Sequence, residues 1–212
     1  MEAKFIAILA TLAGLFGLLI AEKQDSTVGK WLTKPVASAA FISVAVFSGA
    51  LDHTYGTIIV AGLVLSWFGD VLLIPKAKAP FMAGLVSFLL GHVAYCVAFA
   101  TRGFILTWTT VALPVTALAT FLVMRGILPH VEKKMQPPVV VYGVVITVMV
   151  AFSAGTAALA SNVLIFVGAT MFYVSDISVA RDRFVKESFL NRIWGLPLYY
   201  GGQLLLAYTS GV

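Results

Sequence analysis

Two carboxylates stand where carboxylates are costly. Asp70 lies in GLVLSWFGDVLLIP, residues 62–75, and Asp176 in VGATMFYVSDISVARDRF, residues 167–184, each inside an apolar run that ends at a proline or a basic cluster. In hydrocarbon a carboxylate is penalised by several kcal/mol unless it is paired, hydrated or protonated. Two such acids can divide protonation states, one neutral and one ionised, which is what general acid/base catalysis uses. The same residues can instead relay protons in a transporter, or serve as structural partners of a buried Lys or Arg. Other chemistries lack their signatures: there is no G-x-S-x-G, H-E-x-x-H, G-x-x-x-x-G-K-[ST] or G-x-G-x-x-G. His53, His92 and His130 fall in three separate regions, and helical rise displaces His92 in depth from both acids. A three-ligand zinc site is therefore not expected, and no metal or cofactor is called for.

The elements that must hold these acids follow from the solvent. With 60% hydrophobic residues, 11% charged residues and a mean hydropathy of +1.00, the chain belongs in lipid. Eight apolar runs of helix-spanning length occupy residues 4–21, 34–51, 55–74, 80–100, 104–124, 138–154, 161–180 and 191–209. Glu22, Lys23, Gln24 and Asp25 follow the first run where a signal peptidase would need small residues, so that run is read as a retained span. All but Lys4 and Arg102 of the 14 Lys and Arg residues fall in the loops after runs one, three, five and seven. By the positive-inside rule those loops are cytoplasmic and both termini are not. The fold expected is an all-α integral membrane protein, a single transmembrane domain over residues 1–212 built as a bundle of about eight helices. The net charge of +5 is spread over short loops rather than gathered on a face, which excludes nucleic acid as a partner. The lone Cys96 excludes an intramolecular disulfide.

Helical rise then sets depth. Asp70 precedes Pro75 by five residues and Asp176 precedes Arg181 by five, so both carboxylates lie about 7–8 Å below the basic side. They are level, and form one site or two. Gly62 and Ser66, at i−8 and i−4 from Asp70, make a small-residue stripe for close helix approach, with Ser66 in reach of the acid. Tyr173 stands at i−3 from Asp176. In the last run Tyr199 and Gln203 share a face, with Tyr200 beside them and Gly201 and Gly202 thinning the helix, so that Gln203 lines a cavity or bridges helices. His92, about 20 Å from the basic end, reads as an interhelical hydrogen-bonding residue or a site residue. Lys34-Pro35 opens the second run at a depth where the ammonium meets a lipid phosphate or acts as a plain orientation charge. A shared Gly-x7-Asp spacing, Gly62 to Asp70 and Gly168 to Asp176, hints at two parallel four-helix repeats.

Four segments in order, GLVLSWFGDVLL (62–73), F-x-x-G-L-x-x-F-L-x-G-H-x-x-Y (81–95), S-D-x-x-V-A-R-D-R-F (175–184) and Y-Y-x-x-Q-L-L-L-A (199–207), resemble the YhhN family of membrane proteins. Val179 stands where that family usually has Leu, which leaves both acids in place. Characterised animal members are lysoplasmalogenases. The resemblance therefore implies hydrolysis of the vinyl ether of a lysoplasmalogen to a fatty aldehyde and a glycerophospho-head-group, and the expectation from the two buried acids is that Asp70 and Asp176 divide the catalytic roles of that reaction. Lys34, Ser66, His92, Tyr173, Ser175, Arg183, Tyr199, Tyr200 and Gln203 are the candidate contacts for the lysophospholipid, its phosphate meeting Lys34, Arg181 or Arg183. The compact length suggests a bacterial-type member, placed in the inner membrane. The rival readings are a proton-coupled transporter and a hydrolase of another lysolipid. Two acids at one shallow level favour a site over a relay spread through the bilayer.

Overall fold

The computed structural model describes residues 2–211. Eight α-helices follow one another: α1 Glu2–Lys23, α2 Thr27–Phe47, α3 Thr54–Leu72, α4 Lys78–Arg102, α5 Leu106–Ile127, α6 Gln136–Ala160, α7 Val163–Ala180 and α8 Phe189–Tyr208, with no strand among the described residues. In a bilayer every backbone polar group needs an internal partner, which a helix provides along its length. Six of the eight are long and apolar enough to cross a membrane by themselves. The other two, α2 and α8, bury Lys30, Lys34 and Ser38, and Asn191, Tyr199, Tyr200 and Gln203 respectively. Their polar faces lower their apolarity because they are turned inward.

Several boundaries shift from the sequence expectation, and at three of them the local reason is clear. Helix α2 starts at Thr27, where Ser26 accepts a hydrogen bond from the Gly29 N–H at 3.1 Å, so Pro35 falls inside the helix instead of opening it. Lys34 is carried into the bundle as a result. Helix α6 runs on to Ala160 and stops at Ser161, which adopts the left-handed conformation with φ +50°. Asn162 then caps α7 through the Leu164 N–H, moving its start to Val163. Beyond Ala180, one π-helical turn, Arg181–Val185, carries the chain toward α8.

Ion pairs join four loops at one end of the bundle. Lys76 meets Asp25 at 3.6 Å and Glu187 at 2.9 Å, Lys78 meets Glu132 at 2.8 Å, and Arg192 meets Glu22 at 4.0 Å. The connections after α1, α3, α5 and α7 therefore share one face, which we call the basic end. Consecutive helices run antiparallel between it and the opposite end.

Lipid tails are as apolar as Leu, so helix association in this solvent depends on close packing and on polar contacts. Gly62 and Gly69 of α3 provide the first: a Cβ at either would collide with the ring of Tyr95 or Phe88 on α4. Gly168 of α7 plays the same part against α8, where a Cβ would sit 3.1 Å from the Gly202 carbonyl oxygen. Each glycine of the repeated Gly-x7-Asp spacing thus lies where its helix meets the next one. At the centre, Phe41, Tyr95, Phe99, Phe172 and Tyr200 are fully enclosed. Helix α5 is different. Only Thr109 and Ile127 of it are buried, while Leu113, Val115, Leu118, Phe121 and Leu122 face outward, and its extended packing is with α6.

Candidate active site

Asp70 is 2% exposed and receives contacts from two other helices. Its Oδ2 accepts hydrogen bonds from Ser38 Oγ on α2 and Tyr199 OH on α8, both at 2.6 Å. Its Oδ1 lies 3.2 Å from Lys34 Nζ. Lys34 and Ser38 are one turn apart on the same face of α2 and present an ammonium and a hydroxyl together. The register of that face is fixed twice more: Trp67 Nε1 donates to the Pro35 carbonyl at 3.0 Å, and Tyr200 OH reaches the Lys34 carbonyl at 3.4 Å and Ser38 Oγ at 3.2 Å. An ammonium and two hydroxyl donors match a carboxylate in its ionised form.

Asp176 is held differently. Tyr142 OH of α6 donates to Oδ2 at 2.7 Å, and His92 Nε2 of α4 lies 3.3 Å from the same oxygen. Two observations on that second contact diverge: the distance is within ion-pair range, yet Nε2 makes no hydrogen bond of good direction. We take it as close but oblique. The imidazole is fixed elsewhere, by Nδ1 donating to the Phe88 carbonyl at 2.7 Å and by stacking on Phe172 with ring centroids 4.4 Å apart. Tyr142 stands edge-on to it at 5.1 Å. The Asp176 side chain keeps 17% of its surface exposed, against 3% for Asp70.

Both carboxylates line one cavity of about 130 Å³. Leu73, Leu85, Val123, Met124, Ile146 and Leu196 supply its apolar wall, while Lys34, Tyr142, Tyr173, Ser175 and Tyr199 join the acids as polar lining. Thr120 on the α5 wall shares hydroxyl hydrogen bonds with Thr147 at 2.6 Å and Tyr173 at 3.1 Å. Toward the basic end the lining continues to Asp182, Phe184 and Arg192. There Asp182 accepts from Arg192 Nη2, from the Ser188 N–H at 3.0 Å and from Asn191 Nδ2 at 3.4 Å, while the Arg183 guanidinium stacks on Phe81 at 4.2 Å.

Of the residues singled out from sequence, Asp70, Asp176, Lys34, Tyr173, Ser175 and Tyr199 meet at this cavity. Ser66 does not reach Asp70. Its hydroxyl donates to the Gly62 carbonyl at 2.9 Å and faces Gly91 across the α3–α4 contact. Gln203 accepts from Tyr95 OH at 2.7 Å in the fully buried core, and Tyr200 braces α2. Lys34 points at Asp70 rather than at a lipid phosphate. His92 corrects the depth argument. It sits 14 residues, about 21 Å of rise, from Lys78, and Asp176 nine residues, about 13 Å, from Val185 once the helical path continues past Arg181. Each Cα–Cβ bond leans toward its helix N-terminus, so on antiparallel α4 and α7 the two side chains lean toward each other and close the gap. Ser38, Tyr142 and Arg192 were not singled out. Only Ser38 carried a signal, its i+4 spacing from Lys34.

Fold and site together define a class: a multi-helix membrane protein with two acids facing one mostly apolar cavity. The chain belongs to the YhhN family, whose sequence profile matches residues 29–210. It is 28% identical over 208 residues to the rat protein named lysoplasmalogenase TMEM86B, an alignment covering 92% of this chain and 78% of that one. Bovine lysoplasmalogenase TMEM86A is 28% identical over 171 residues, covering 76% and 68% of the two chains. Mouse lysoplasmalogenase TMEM86B is 32% identical over 153 residues, covering 70% and 61%. No solved structure matches the chain.

Proposed function

We propose that this protein is a lysoplasmalogenase-type ether hydrolase in which Asp70 and Asp176 divide the work of vinyl ether cleavage. The observation that carries the reading is that both carboxylates line one mostly apolar cavity. Lysoplasmalogenase relatives supply the reaction class. The chemistry begins with transfer of a proton from one carboxylic acid to the alkene carbon, which leaves an oxocarbenium ion on the carbon bearing oxygen. The other carboxylate, ionised, stabilises that cation across a medium of low dielectric. Water adds to the cationic carbon and its proton returns to the acid that gave one. The hemiacetal then breaks the carbon–oxygen bond to the glycerol as its hydroxyl proton passes to the departing oxygen, yielding a fatty aldehyde and a glycerophospho-alcohol. Proton transfers, addition of water and collapse of the hemiacetal account for every step, so no nucleophilic side chain is needed.

The volume of about 130 Å³ suits the reacting segment, with the remainder of the single acyl-like tail extending between lipid-facing helices. With Lys34 committed to Asp70 and Arg192 to Asp182, the lipid phosphate falls to Arg183 at the basic end. We place that end in the cytoplasm of a bacterial inner membrane, both termini lying outside.

The test is aldehyde release by the purified protein from lysoplasmenylethanolamine, with an ester-linked lysolipid as the control. Aldehyde from the vinyl ether that disappears in both Asp70→Asn and Asp176→Asn supports the reading. Wild-type-like turnover in either folded variant would remove that acid from the mechanism.

A further inference from the structure

We infer that His92 shares the proton that Asp176 delivers, which makes Asp176 the general acid and Asp70 the fixed anion. This rests on the hydrolase reading above and assigns the two roles which that reading leaves unassigned. His92 does not line the cavity, so it is a positioning residue that acts through Asp176.

The assignment follows from counting donors. A carbonyl oxygen only accepts, so the 2.7 Å contact between His92 Nδ1 and the Phe88 carbonyl puts a hydrogen on Nδ1. In the neutral ring Nε2 is then a bare lone pair, and it lies 3.3 Å from Asp176 Oδ2. A lone pair 3.3 Å from a carboxylate in a buried site is repulsive even at an oblique angle, and one proton held between the two groups removes the repulsion. In a site where His92 is fully buried, and with an oblique approach, a neutral acid and a neutral imidazole avoid the cost of a charge pair. Tyr142 does not compete for this place, because its hydroxyl already donates to Oδ2. Asp70 has no equivalent need. Its neighbours Lys34, Ser38 and Tyr199 all donate, and a neutral Asp70 would leave the buried Lys34 ammonium without its counter-charge.

The arrangement also explains how the acid is reset. When Asp176 gives its proton to the alkene carbon, the carboxylate left behind again faces the Nε2 lone pair. That unfavourable state is relieved when the water adding to the oxocarbenium ion releases a proton to Asp176. The imidazole keeps its Nδ1 hydrogen throughout, so the cycle closes with no net change at either residue.

Infrared spectroscopy of the purified protein in lipid, without substrate, tests the proton's location independently of turnover. The expected result is a carboxylic-acid carbonyl band that is lost in Asp176→Asn, kept in Asp70→Asn, and displaced in His92→Phe and His92→Gln. Alongside it, vinyl ether turnover in both His92 variants should fall about 100-fold or more in kcat, with KM within about threefold of wild type. Because His92→Gln retains polarity in the buried site, it carries the test if His92→Phe does not fold. The inference is overturned if the band is absent from wild type, if it vanishes in Asp70→Asn instead, or if a folded His92 variant keeps wild-type kcat. A wild-type protein that shows the expected band pattern but releases no aldehyde would sink the hydrolase reading and leave the proton assignment standing.

Discussion

Asp70 and Asp176 are the same residue type in the same fold, yet one is enclosed by donors and the other is shared with an acceptor. Lys34, Ser38 and Tyr199 converge on Asp70 from two helices, and only 3% of its side-chain surface is open. Asp176 has one phenol donor, one imidazole and 17% open surface. The difference teaches that depth in the membrane does not decide what an acid does. On the proposed mechanism the groups brought to it by neighbouring helices decide: donors hold a charge in place, whereas an acceptor leaves a proton to be passed on.

The comparison breaks most visibly in turnover. Asp176→Asn should reduce aldehyde release by about 1,000-fold or more while thermal stability in detergent stays near wild type, since Asn accepts from Tyr142 as Asp does. Equal loss of stability in Asp176→Asn and Asp70→Asn would erase the distinction. Next in size is stability at the other acid. Asp70→Asn leaves the Lys34 ammonium buried without its counter-ion and should cost about 3–5 kcal/mol, read as a lower midpoint of unfolding. The double variant Lys34→Met with Asp70→Leu should recover most of that stability and none of the activity. Two tyrosines sharpen the contrast further. Tyr199→Phe removes one of two hydroxyl donors from Asp70 and should cost about 1 kcal/mol in stability. Tyr142→Phe should instead act mainly on kcat, by about tenfold, because its partner is the acid proposed to give the proton.

The smallest effect lies outside the bundle. Lys76 donates to Glu187 and holds that carboxyl below its usual range, while the same hydrogen bond holds the Lys76 ammonium above its own. The carboxylate's contribution is present above the ordinary Glu range and fades as pH falls through its lowered native value. The ammonium's contribution is present below the ordinary Lys range and fades as pH rises through its raised native value. Both side chains are more than half exposed, so Lys76→Met should leave the melting curve unchanged at physiological salt over the whole interval between. A large shift there would mean that the loops, and not the buried acids, hold the basic end together.

Much of this was written in the chain as one-dimensional information. Apolar run lengths gave eight helices, loop charges gave their alternation, and helical rise put the two acids near one level. The i, i+4 relation of Tyr199 and Gln203 marked an inward face of α8, and both are buried. What sequence did not carry was lateral position. Tyr142 sits in a Val-rich run with nothing to mark its direction, and its partner Asp176 is 34 residues away. Lys34 was assigned to the surface because Pro35 looks like a helix start, whereas Ser26 supplies an earlier cap and the proline is carried within the helix. His92 was placed too far from the acids because rise along an axis ignores the opposite lean of side chains on antiparallel helices.

Helix α5 forms one wall of the cavity through Thr120, Val123, Met124 and Ile127, and its extended packing is with α6 alone. The bilayer is its other neighbour. Close packing against α6 therefore holds the wall in place, and whatever lies on its outer face, detergent or lipid, touches it directly. Vinyl ether turnover compared between micelles and bilayers then reads how firmly that one contact sets the width of the cavity.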